Sequence, residues 1–280
     1  IHNAQVFEWD SNATNAVTNR ATIIAGAPTA SRDMLVSTPD RHLVFFGTEL
    51  TIGDPTTQDE MFIRFSNQED INTYQPTAVN TAGTQRLADG SKIVGAVRGR
   101  DAIYVWTDTS LFTMRFIGQP FTFGFQQVGT NCGLIGQNAA LEVDGAAYWM
   151  SENGFFKYSG NLETMTCLVE DFVFDDLNTT ANQLINAGLN NLFGEITWFY
   201  CTESSTVVNR CVTYNYLDSR PNRPVWTTGT LARGSWQDSS VFGLPHATYF
   251  NADDDASFDV VGNTEGSTIY FEHEKGTDEA

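Results

Sequence analysis

The sequence predicts an all-β protein, a β-propeller-like repeat of antiparallel aromatic-rich hairpins with one or two short helices. Three observations predict it. Aromatic side chains are abundant, with 20 Phe, 9 Tyr and 6 Trp, and they suit the half-buried surface of a sheet. Short apolar runs recur in pairs, each pair separated by turn residues. Amphipathic stretches long enough for a substantial helix are scarce.

The hairpins follow one another along the chain. His42-Leu-Val-Phe-Phe46 and Met61-Phe-Ile-Arg-Phe65 form the first, stretched by a polar insertion over residues 48–60. Ile103-Tyr-Val-Trp106, the turn Thr107-Asp-Thr-Ser110 and Leu111-Phe-Thr-Met-Arg-Phe-Ile117 form the second. Ala146-Ala-Tyr-Trp-Met150, Ser151-Glu-Asn-Gly154 and Phe155-Phe-Lys-Tyr158 form the third, with Asn-Gly supplying a left-handed turn position. Ile196-Thr-Trp-Phe-Tyr200 and Arg210-Cys-Val-Thr-Tyr-Asn-Tyr216 form the fourth, and Ser267-Thr-Ile-Tyr-Phe271 reads as the first half of another copy. The leading strands therefore start near residues 42, 103, 146, 196 and 268, against a blade period of ~40–50 residues in propellers. The long last step leaves room for an additional blade, seeded by Ala247-Thr-Tyr-Phe250 and Phe258-Asp-Val-Val261.

Repeated aromatic hairpins argue for radial repetition. A β-sandwich, also made of hairpins, is the rival arrangement. The helical candidates are residues 168–177, where Leu168, Phe172, Val173 and Asp176 recur at helical spacing, and a shorter stretch over 180–189. No linker or domain boundary is visible. Residues 1–280 read as a single propeller-like domain, and the abrupt ends read as those of a portion of a longer chain.

Thirty-four acidic side chains against fifteen basic ones give a formal net charge of −19. Such a surface repels phosphate, which argues against tight binding along a DNA backbone and suits a wall that DNA slides past. Solubility accounts for the same charge. No apolar run approaches the ~20 residues that span a bilayer.

The residues that carry chemistry elsewhere form no recognisable constellation. Cys132, Cys167, Cys201 and Cys211 make no CxxC pair and read as reduced core residues, although Cys201 and Cys211 close a short loop and could meet across a hairpin. His2, His42, His246 and His273 form no HExxH and no close pair in sequence; His42 reads as a strand start. Phosphate-loop and GxSxG patterns are absent. Val97-Arg-Gly-Arg-Asp101 reads as surface or interface ion pairs, Asp253-Asp-Asp255 as a solvated acidic loop, and Ser151-Glu-Asn-Gly154-Phe155 as a hairpin turn in place of a sialidase box. No catalytic, cofactor-binding or metal-binding residue is assigned, no cofactor is expected, and the expected role is not enzymatic.

Over residues 77–236 the chain resembles a known family, beginning just before it with Ile63-Arg-Phe-Ser66 and Glu69-Asp70. The pieces that follow are Asn80-Thr-Ala-Gly83, Leu87-Ala-Asp-Gly90, Val105-Trp-Thr-Asp108, Met114-Arg-Phe-Ile-Gly118 and Gly129-Thr-Asn-Cys-Gly133. Next come Tyr148-Trp149-Met150 between Gly145 and Gly154, Val173-Phe-Asp-Asp176, Trp198-Phe-Tyr200, Tyr214-Asn-Tyr216, Trp226 and Gly229-Thr-Leu-Ala-Arg233. Ile269-Tyr-Phe-Glu-His-Glu274 with Gly276 extends the likeness. In order and spacing these pieces resemble the tail nozzle, or packaged-DNA stabilisation, proteins of short-tailed bacteriophages.

The resemblance implies a virion structural protein of the phage tail, assembled in the host cytoplasm. It implies a distal nozzle or hub formed as a homo-oligomeric ring, a hexamer, around the DNA exit channel. Its implied partners are tail adaptor and tail fibre or spike proteins, with packaged DNA passing through the lumen until ejection without sequence-specific binding. A host-surface module holding a glycan or receptor is the alternative, with Trp226 and Trp236 as its candidate contacts.

Overall fold

The computed structural model describes residues 5–9, 20–38, 40–238, 245–251 and 268–273. The chain divides into two compact units, Ile1–Leu134 and Ile135–Ala280.

The first unit opens with a short antiparallel pair, β1 (Phe7–Glu8) and β2 (Thr22–Ile23). Two four-stranded antiparallel meanders follow. One holds β3 (Asp33–Val36), β4 (Leu43–Phe46), β5 (Phe62–Phe65) and β6 (Gly83–Arg86); the other holds β7 (Ile93–Arg98), β8 (Ile103–Thr107), β9 (Ser110–Gly118) and β10 (Thr122–Thr130). The second unit repeats the plan with β11 (Ala140–Val143), β12 (Ala146–Ser151), β13 (Gly154–Tyr158) and β14 (Leu162–Met165). After the helix α1 (Glu170–Phe174) and a 3₁₀ turn come β15 (Asn186–Asn190), β16 (Glu195–Tyr200), β17 (Arg210–Asn215) and β18 (Trp226–Gly229). The last sheet is β19 (Trp236–Gln237), β20 (His246–Asn251) and β21 (Thr268–His273). In every sheet the strands lie in sequence order.

The all-β expectation holds, and burial explains which strands were legible. The second strands β4, β8 and β12 are buried at every residue. A strand covered on both faces reads as a continuous apolar run, so in the sequence these runs stand out as the leading strands. The true leading strands, such as Asn186–Asn190, are more polar and only partly buried. The second strands start at residues 43, 103, 146, 195 and 246. Residues 267–271 are therefore not the first half of another copy. Phe271 pairs with Thr248 and Ile269 with Phe250, so β21 is the third strand of the sheet that Ala247-Thr-Tyr-Phe250 begins. Residues 258–261 lie outside the described residues.

Helix is shorter than the periodicity over 168–177 predicts. It covers Glu170–Phe174, its N-cap Val169 makes no side-chain cap, and only Val173 is buried. One buried residue and no cap give little to extend a nucleus. Over 180–189 the chain forms a 3₁₀ turn at Thr179–Leu184, capped by the Asn178 side chain, and then enters β15.

Within each unit, successive sheets meet along their first strands. β3 lies against β7, and β15 lies against both β11 and β19. In the first unit Ala96 N donates to Asp33 Oδ2 at 3.0 Å. In the second, Ala187 N donates to Asn138 O at 2.8 Å, and Asn186 Nδ2 donates to Arg233 O at 2.9 Å. The seam between the two sheets of the first unit is filled by Val44, Ile63 and Phe65 from one sheet and Val105, Met114 and Phe123 from the other.

Gly188 makes one of these junctions in the second unit possible. A Cβ there would sit 2.7 Å from the Trp236 ring. Its absence lets that indole lie flat on β15, stacked on Phe199 at 5.8 Å with Nε1 donating to Leu189 O at 2.7 Å.

Candidate functional site

The site is built on two loops of the first unit. The β7–β8 turn carries Val97-Arg-Gly-Arg-Asp101 and is closed by Gly99 N donating to Ala102 O at 2.9 Å. Gly99 is required at this point, because a Cβ would fall 2.4 Å from the Tyr104 ring. The β3–β4 loop is closed by Ser37 N donating to His42 O at 2.8 Å, and it turns Asp40 inward until 2% of that residue remains exposed.

Asp40 and His42 form a buried clasp. Ser37 Oγ donates to Asp40 Oδ1 at 2.7 Å, His42 Nδ1 meets Asp40 Oδ2 at 2.8 Å, and His42 Nε2 meets Thr81 Oγ1 at 3.0 Å. Counting protons settles the directions. Asn67 Oδ1 accepts both the Thr81 N–H and the Thr81 hydroxyl proton, and Thr81 Oγ1 also accepts from Gln68 N at 2.9 Å. The threonine has no second proton to give, so His42 Nε2 is the donor to Thr81. A lone pair on Nδ1 facing a carboxylate at 2.8 Å would be repulsive, so one proton lies between His42 and Asp40.

The order Asp, His, hydroxyl matches the relay of hydrolases. Here Thr81 Oγ1 has spent its proton on Asn67 and both lone pairs on N–H groups, so it has none left for attack. Phe65, Phe116 and Phe123 pack around the His42 ring, with Phe123 at 5.2 Å.

Beside this clasp lies a pocket of about 230 Å³. Ser37 and Asp40 form one wall, and Arg98, Arg100 and Asp101 form the other. Ile103, Met114, Phe116 and Phe123 supply an apolar floor. Within the chain, Val97-Arg-Gly-Arg-Asp101 makes no ion pair among the described residues, and Arg98 Nη1 donates to Val36 O at 3.3 Å.

A second buried carboxylate, Glu49, holds the polar insertion over 48–60 in place. Its side chain accepts from Ala30 N at 2.7 Å, Gly53 N at 2.5 Å and Thr29 N at 2.6 Å, and also from the Thr29 hydroxyl. The buried Arg64 donates to Leu50 O at 2.8 Å. Neither Glu49 nor the Asp40–His42 clasp is marked by spacing in the sequence. Glu49 is completed by Thr29 and Ala30 and the Asp40–His42 pair by Thr81, all distant in sequence, and the local signal is a histidine beside an apolar run.

The other singled-out residues have structural places. All four cysteines are buried free thiols, and β17 sets Cys211 opposite Phe199, not Cys201. Burial pushes the Cys167 thiol up to about 11. Ser151-Glu-Asn-Gly154 is the β12–β13 turn, with Ser151 paired to Gly154. Trp226 packs on Phe155 and Tyr214, each at 4.8 Å, and donates to Thr166 O at 2.8 Å. With Trp236 on Phe199, both candidate glycan contacts are engaged in packing. Ladder register places His246 opposite His273, a pair the sequence spacing hides. His2 and Asp253-Asp-Asp255 lie outside the described residues.

No family model matches this chain, and no curated protein matches it. Among solved structures, apo AztD from Citrobacter koseri is similar over 77% of this chain and 68% of that one, at 9% identity and a TM-score of 0.35. A likeness that slight carries neither fold nor function across.

Proposed function

We propose that this chain is a structural, non-enzymatic module of the tail of a short-tailed phage. In this reading the successive meanders are blades of a β-propeller, and the module joins a ring around the DNA exit channel. One observation carries the propeller: within each unit, sequentially ordered antiparallel sheets meet along their first strands. Blades around an axis meet in that way. A sandwich instead faces two sheets and links them by Greek-key crossings.

The tail role rests on the ordered run of motifs from Ile63 to Arg233 and on the charge of −19, which lets DNA pass without adhering. Antibody labelling of intact virions, read by electron microscopy, tests it. Label on a six-fold ring at the tip of a short tail is the expected result. Label on the capsid shell or on fibres overturns the nozzle reading and leaves the propeller to be judged on its own.

A further inference from the structure

We propose that the pocket between the 37–40 loop and the 98–102 turn binds a small organic anion, a carboxylate carried on an apolar stem. The inference is independent of the tail role. It starts from the charges that face the cavity. Asp40 lines it, but both of its carboxylate oxygens are taken, Oδ1 by the Ser37 hydroxyl and Oδ2 by His42 Nδ1. Arg98, Arg100 and Asp101 remain, so the charged groups left to meet a ligand are two cations and one anion, in a chain of net charge −19.

The arginines are also free to act. In the same unit Arg32, Arg41 and Arg86 are each paired with a carboxylate, from Glu60, Glu69 and Asp59 respectively. Arg98 spends one N–H on a backbone carbonyl, and Arg100 makes no hydrogen bond or ion pair among the described residues. A guanidinium presents a planar fork of donors that fits a carboxylate through two parallel hydrogen bonds.

The floor sets the rest of the ligand. Ile103, Met114 and Phe123 are buried, whereas Phe116 is 44% exposed and leaves a ring available to a partner. An aromatic or short aliphatic stem would cover it. A volume of about 230 Å³ lies below the ~300–1,000 Å³ of sites for drug-sized molecules, which limits the stem to about one ring.

The test uses the full chain and three probes of matched shape: benzoate, benzamidine and benzyl alcohol, followed by saturation-transfer NMR and titration. Benzoate is expected to bind saturably and about ten-fold more tightly than either competitor. In the double variant Arg98→Gln, Arg100→Gln its affinity is expected to fall about ten-fold or more, with the melting temperature unchanged because both side chains are exposed. Equal or tighter binding of benzamidine, no benzoate binding, or full benzoate affinity in the double variant each overturns the proposal.

Discussion

The two units solve one packing problem with different side chains. Each must join neighbouring sheets without stranding backbone polar groups in the seam. In the first unit the seam is aliphatic and phenylalanine-rich, with Phe65 against Phe123 at 4.8 Å; Ala96 N donates across it to Asp33 Oδ2, while the Asp40–His42–Thr81 clasp ties together the loops of the β3–β6 sheet at its edge. In the second, tryptophans do both tasks. Trp198, Trp226 and Trp236 fill the seams, and their indole N–H groups reach Ala139 O at 2.9 Å, Thr166 O at 2.8 Å and Leu189 O at 2.7 Å. An indole combines a large apolar body with one donor, so each cross-sheet hydrogen bond comes with its own burial. A clasp built from a carboxylate and an imidazole needs every partner present.

Removing one partner from each seam gives the strongest test of that contrast. His42→Ala strands Asp40 in the interior and is expected to cost about 3–5 kcal/mol in denaturant unfolding. Adding Asp40→Ala should recover part of that loss, since removing both partners leaves no unpaired charge. Equal or additive losses in the double variant would mean that the clasp is not a unit.

Trp198→Ala is expected to cost about 3–5 kcal/mol by the same measurement, whereas Trp198→Phe, which keeps the ring body and forfeits the bond to Ala139, should cost about 1–3 kcal/mol. A phenylalanine variant as damaged as the alanine one would assign the seam to the hydrogen bond alone.

A smaller effect acts through pH in both units, since burial also raises Tyr74 and Cys132 in the first. In the second unit burial raises Cys167 to about 11 and Tyr148 and Tyr200 to about 12. Each is favoured neutral in the folded chain, so the associated stability is fully present below the unfolded values, 9.0 for the thiol and 10.0 for the phenols. It is lost as pH rises through the window from 9 to 12, at ~1.4 kcal/mol per pH unit for each group ionised only when unfolded. Denaturation midpoints at pH 8, 9.5 and 11 should fall in that order, and a midpoint unchanged at pH 11 would refute the assignment.

Legibility in the sequence followed burial. Ile103-Tyr-Val-Trp106 and Ala146-Ala-Tyr-Trp-Met150 announced themselves as strands because both faces are covered. The outer strands Gly83–Arg86 and Leu162–Met165 are largely exposed, carry mixed residues and depend on their neighbours for their conformation. The site was less legible still. Val97-Arg-Gly-Arg-Asp101 was visible as a charged turn, but its pocket needs Asp40 and Phe123, which only the meander order brings beside it. The clasp around Asp40 also draws in Asn67 and Thr81, residues with no pattern linking them to His42.

An up-and-down path through each sheet also sorts its connections by parity. Links from first to second and from third to fourth strand leave one end of a sheet, and links from second to third leave the other. In the first unit the 37–42 and 98–102 loops, with Thr81 just before β6, belong to the first kind. Residues 48–60 join β4 to β5 and belong to the second. Chain length can therefore accumulate at one end of the sheets while the opposite end keeps its geometry, so the two ends are free to diversify at different rates.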